Sequence, residues 1–125
     1  MTEKNLWPDF DLSKGPPSPK SVIERAGKGL EQKTKGTVHF YSRGATINGD
    51  SVVASFALMV PALSYMFPFL QAKFAVSLPY PVTLVVHQME DVVAKDEAEL
   101  IAALAKIFNA PSTVEVVNRL ASLAK

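Results

Sequence analysis

The stretch SVVASFALMVPALSYMFPFLQA, residues 51–72, decides how the rest of the chain is read. It carries no Asp, Glu, Lys or Arg, and it is as long as the roughly 20 apolar residues that cross a bilayer. Against a membrane span stand Pro61 and Pro68, the Ser, Gln and Tyr residues spread through it, and the lack of a basic flank on one side. Its apolar residues alternate, which is the period of a half-buried strand. We therefore read two strands. The first covers residues 51–60, with Val52, Phe56, Leu58 and Val60 inward, and Pro61-Ala62-Leu63-Ser64 connects it to a second over residues 65–76. There Met66, Leu70, Phe74 and Val76 share the inner face, and Tyr65, Phe67, Phe69, Gln71 and Lys73 the outer one. Pro68 has no N–H to give to a ladder, so a bulge or a sheet edge is expected at that point.

Upstream, the period of two begins at Thr37. Val38 and Phe40 alternate with His39, Tyr41 and Arg43, and Asn48-Gly49 marks a hairpin. A two-residue loop at Asn48-Gly49 would set Phe56 and Leu58 beside Tyr41 and His39. A three-residue loop ending at Gly49 pairs Thr46 with Asp50, so that Phe40 faces Phe56 and Val38 faces Leu58. A slip of one residue moves every side chain to the other face, so the second register is favoured, with Gly49 left-handed. Before this strand, Ser18-Pro19 starts a helix whose stripe is Val22, Ile23, Ala26 and Leu30. Gly27 and Gly29 each cost about 1 kcal/mol against alanine, so packing must hold this helix, and Gly36 is its expected stop. Residues 1–18 read as a flexible tail in which Trp7, Phe10 and Leu12 are spaced like anchors. No apolar run follows the N-terminal charges, so no signal peptide is expected and the protein is placed in the cytoplasm.

Downstream of Pro79-Tyr80-Pro81, residues 82–88 form a fourth strand. Asp96 and Glu99 make a capping pair ahead of Leu100, Ile101, Leu104, Ile107 and Phe108. Ser112 and Glu115 repeat that device ahead of Val116, Val117, Leu120 and Leu123. The reading is one α+β domain over residues 19–125, ordered α-β-β-β-β-α-α. Its four-stranded, mainly antiparallel sheet has the helices on one face.

Composition narrows the chemistry. The chain has 125 residues, 13 basic and 12 acidic residues, and no cysteine. That removes thiol catalysis, cysteine zinc sites and disulfides, and it leaves no basic footprint for nucleic acid. His39 and His87 fall on the first and fourth strands, roughly 14 Å apart in a meander, too far to share a metal at about 2 Å per ligand. Glu90-Asp91 is an adjacent pair on a connecting loop and reads as solvated. No phosphate loop, nucleophile elbow or HExxH pattern occurs, and Ser42, Ser51, Ser55 and Ser64 have no identifiable base. No catalytic residue, metal or cofactor is therefore assigned. His39, Tyr41 and Arg43 at i, i+2, i+4 are the one polar stripe that suits an anion, since Arg offers a planar fork and His a second donor.

The most informative feature is surplus hydrophobicity. Opposite the helices the strands still carry Val53, Met59, Tyr65, Phe67, Phe69 and Val85, where a wet sheet face would be polar. The Trp7/Phe10/Leu12 arm, a second copy or a different protein would each cover that face. The competing reading is that a bulge at Pro68 turns part of the third strand inward.

Four stretches carry a resemblance: PKSVIERAGKGLEQKTKGTV (residues 19–38), FALMVPALSYMFPFLQAKFAV (56–76), YPVTLVV (80–86) and IFNAPSTVEVVNRLAS (107–122). They resemble a family of small uncharacterised bacterial α+β proteins that has no assigned activity. The resemblance implies the fold and no function.

Two functions compete. The first is a non-catalytic protein-interaction module, an adaptor or an immunity-like inhibitor, that binds a partner or a second copy through Met59, Tyr65, Phe67, Phe69 and Val85. The second is a small-molecule binder or enzyme that uses a sheet-lined apolar pocket with His39, Tyr41 and Arg43 at its rim.

Overall fold

The computed structural model describes residues 5–11 and 16–124. Its elements run α1 (Pro19–Gly27), α2 (Gly29–Lys33), β1 (His39–Asn48), β2 (Ser51–Val60), a 3-10 turn (Pro61–Leu63), β3 (Tyr65–Ala75), β4 (Val82–Val86), β5 (Val92–Ala94), α3 (Glu97–Asn109) and α4 (Pro111–Leu123). The strands form one antiparallel sheet in the order β1-β2-β3-β4-β5. The fold is thus α+β with an antiparallel sheet, and the uncharged stretch is β2 and most of β3. Among the described residues no single helix is long and apolar enough to cross a membrane.

The sheet has five strands where four were expected. Val82 pairs with Ala94 and Leu84 with Val92, which makes Val92–Ala94 an edge strand. Three residues are too few to display an alternation, so this strand leaves no period in the sequence.

The β1–β2 hairpin reaches the expected face by a different route. Asn48 pairs with Ser51, which leaves a two-residue turn of Gly49 (φ +64°) and Asp50. The ladder then breaks between Ser42 and Ala45, where Arg43 and Gly44 (φ +92°) stand against Ser55. This bulge changes the phase, so Phe40 lies opposite Leu58 and Ser42 opposite Phe56. The expected three-residue loop is replaced by a tight turn plus a bulge, and the large apolar residues still share one face.

A second bulge reassigns the third strand. Phe56 pairs with Leu70, but Ala57 pairs with Pro68, so Phe69 is an extra residue in β3. Leu58 then pairs with Phe67 and Val60 with Tyr65. Phe67 and Tyr65 therefore lie on the helix side, and Met66 lies on the open side. Phe69 is buried at 5 % exposure and belongs to the core. The expected open-face set of Met59, Tyr65, Phe67, Phe69 and Val85 is corrected to Met59 and Val85, which remain there half-buried. Proline without an N–H at a strand centre makes this bulge favourable.

The expected first helix is also divided. α1 is capped by Ser18, whose Oγ accepts from the Ser21 amide at 3.2 Å, and it ends at Gly27. α2 follows, and Thr34 Oγ1 accepts from the Val38 amide at 3.1 Å, joining α2 to the start of β1. At α3, Asp96 accepts from the Glu99 amide and Glu99 from the Lys95 amide, both at 2.8 Å. The same device expected at Ser112 and Glu115 does not form. α4 starts with Pro111 and has no side-chain cap, and Glu115 pairs with Arg119 instead. The buried Thr113 hydroxyl donates to the Ile107 carbonyl at 2.6 Å and ties α4 to α3.

The core lies between the sheet and the helices. Val22 and Ile23 of α1 and Leu100, Leu104 and Ile107 of α3 close over Ala54, Phe56, Leu70, Ala72, Leu84 and Val86. The Tyr80 hydroxyl is buried at the margin of this core without a hydrogen-bond partner among the described residues. Burial, then the charges of Glu97 and Asp96, push its pKa above the usual 10.0. A proton held more tightly in the folded state contributes stability that is intact below pH 10 and is lost as pH rises beyond it. Tyr80→Phe should raise stability to urea by about 1 kcal/mol at neutral pH. The same variant should flatten the loss of stability above pH 10.

Candidate functional site

The Phe69 bulge makes a groove at the end of the sheet where β3 begins. One wall is Leu63, Tyr65 and Phe67, and the other is Val116, Leu120 and Leu123 of α4. The last three recur at i, i+4, i+7, so they form one stripe of the helix. His87, Gln88, Ser112, Glu115 and Arg119 complete the lining with polar groups. The volume is about 460 Å³, and the groove is open along one side. A separate small cavity of about 10 Å³ lies next to it, lined by Phe67, Phe69, His87, Thr113 and Val116.

Local sequence explains the positions. Pro61 starts the 3-10 turn and Ser64 ends it at φ +50°, which brings Leu63 beside the first residue of β3. β4 ends at Val86, and the His87 amide donates to the Phe69 carbonyl at 3.0 Å, at the bulge itself. The His87 ring meets Phe67 edge to face, with centroids 4.9 Å apart. Gln88, at φ +59°, then turns the chain away. Glu115 and Arg119 form an exposed i, i+4 ion pair on the groove side of α4.

Of the residues expected at an interaction face, Tyr65 and Phe67 line the groove. Phe69 lies under it, and Met59 and Val85 lie on the opposite face of the sheet. His39, Tyr41 and Arg43 do not form its rim. The His39 ring instead lies 3.2 Å from the Gly36 carbonyl and 3.7 Å from Glu31, and Tyr41 is exposed on the open face. Arg43 borders a shallow depression of about 230 Å³ with Ser55, Pro68, Gln71 and Val85. No group of three or more His, Asp or Glu that could hold a metal occurs among the described residues. Trp7 and Phe10 are 76 % and 65 % exposed and pair with each other at 6.4 Å. Leu12, the third expected anchor of that arm, lies outside the described residues.

The sequence reading missed His87, Ser112, Val116, Arg119 and Leu123 as neighbours of one site. Its available signal was Pro68, since a bulge there carries Tyr65 and Phe67 to the side on which α4 packs. No protein-family model, curated protein or solved structure matches the chain.

Proposed function

We propose that this protein is a non-catalytic protein-interaction module of the cytoplasm, and that it takes an apolar anchor of a partner into the groove between β3 and α4. The observation that carries the reading is the pairing of two apolar walls with a polar mouth around about 460 Å³. Full burial of one Leu or Phe side chain contributes about 1.5–3 kcal/mol, which falls short of association costs of about 4–15 kcal/mol, so a second anchor and polar contacts along the bound segment must add to it. The open side lets a bound segment continue past the groove, where Gln88, Ser112 and Arg119 can meet its backbone. A small apolar molecule is the second reading, because the volume falls within the range of about 300–1,000 Å³ used by such ligands. Homodimerisation through Met59 and Val85 has less support, since Ser55, Gln71 and Lys73 are interleaved with them on the open face.

Selection of random peptides displayed on phage tests the proposal. The enriched peptides should share a Leu or aromatic pair. Leu123→Glu should weaken them about tenfold, equivalent to 1.4 kcal/mol, while Met66→Glu on the other face changes little. Peptides that bind Leu123→Glu normally and lose Met66→Glu would place the partner on the open sheet face and defeat the reading.

A further inference from the structure

The charge distribution leads us to propose a second surface: the free edge of β1 accepts an extended acidic segment of a partner protein as a sixth strand. Among the described residues β1 is paired on one side only, with β2, and an edge strand presents a row of unpaired N–H and C=O groups. It contains no proline, and the Arg43-Gly44 bulge leaves His39–Ser42 as a regular half beside α2.

That half sits in the basic part of the molecule. From Lys20 to Arg43 six basic residues stand against two acidic ones, whereas from Gly44 to Ala124 seven acidic residues stand against four basic. Lys20 is already paired with Glu24 at 2.6 Å. Lys28, Lys33, Lys35 and Arg43 are exposed, and none is ion-paired with another described residue. Lys28 and Lys35 line an open concavity of about 590 Å³ with Glu31 and Gly36, the two residues that the His39 ring approaches. The concavity is thus joined to the first residue of β1 through the contacts of the His39 ring with Glu31 and Gly36.

The sign of the charge selects the occupant. A second copy paired symmetrically edge to edge would bring these cations against their own duplicates, which is unfavourable. Head-to-tail addition to the acidic far side, with Glu90, Asp91, Asp96, Glu97 and Glu99, would have to use β5, which is three residues long. A foreign acidic strand meets neither obstacle. Main-chain pairing supplies its affinity, and the lysines supply its selection and its rate of capture.

The test uses the full chain labelled with ¹⁵N and three short peptides: one alternating Val with Glu or Asp, its Lys counterpart, and the acidic one with a central proline. The acidic peptide should shift the amides of His39–Ser42 and slow exchange of the alternate ones that face the free edge, and it should bind about tenfold more weakly at 300 mM than at 50 mM salt. The Lys and proline peptides should not bind. Lys28→Glu/Lys35→Glu should weaken the acidic peptide about tenfold, and Leu123→Glu should leave it unchanged, which separates this surface from the groove. Equal binding of the Lys peptide, shifts at the groove or open face, or a free protein of doubled mass with protected β1 amides would each overturn the proposal. So would no binding at millimolar peptide, which would show the charges to be edge protection alone.

Discussion

Phe69→Glu should unfold the protein rather than silence a binding surface. In a regular β3 the side chain would lie on the open face, and a charge there would be tolerated. The bulge places it 5 % exposed in the core, beside Leu70 and edge-on to Phe40 at 6.5 Å. Loss of a buried Phe costs about 3–5 kcal/mol, and an unpaired buried carboxylate adds several more. That sum is comparable with the whole stability of a typical domain, about 5–15 kcal/mol. Met66→Glu is the control, because Met66 is 42 % exposed on the opposite face and such changes stay within about 0.5 kcal/mol. Thermal unfolding followed by circular dichroism would read both. A cooperative Phe69→Glu variant with an unchanged midpoint would show that the bulge is wrongly placed.

The second large effect concerns a glycine that helix propensity alone would misjudge. Gly27→Ala should gain about 1 kcal/mol in an unhindered helix. A Cβ at Gly27 would instead lie 2.2, 2.4 and 2.7 Å from three atoms of the Phe40 ring. The half-buried ring is held by three other aromatic rings. It stacks on Phe56 at 5.4 Å and meets Phe69 at 6.5 Å and Phe108 at 5.6 Å. Overpacking of this kind costs about 1–3 kcal/mol, so Gly27→Ala should be destabilising in chemical denaturation. Gly29→Ala meets nothing within 4 Å and should be neutral or stabilising. Phe40→Leu should reduce the penalty in a double-mutant cycle, which assigns it to this contact. Equal stability of the two alanine variants would contradict the packing.

These two cases also show what the sequence could and could not disclose. The alternation of residues 51–60 was enough to identify β2, and the Ser18 and Asp96 caps marked α1 and α3, because those signals are local. The phase of a strand is not local once a bulge intervenes. Both bulges change the phase without altering which residues alternate: Gly44 in β1 preserved the expected face, and Phe69 in β3 reversed it for Tyr65 and Phe67. The groove follows from that second reversal together with the docking of α4, and docking is a tertiary fact. Leu123 was legible as part of a stripe, but the stripe could not say that its last member would be left 59 % exposed. Gly27 was legible as a helix cost, and its purpose became evident only from the ring that fills the space of the missing side chain.

The groove between β3 and α4 is proposed here as the site of apolar recognition. It is tested most directly by an amide-resolved titration of the ¹⁵N-labelled chain with N-phenyl-1-naphthylamine, an uncharged apolar probe. Saturable one-to-one binding is expected, with shifts confined to Leu63–Phe67, the His87-Gln88 turn and the Ser112–Leu123 face of α4. Shifts centred on Met59, Met66 and Val85, or no saturable binding to the folded protein, would contradict it.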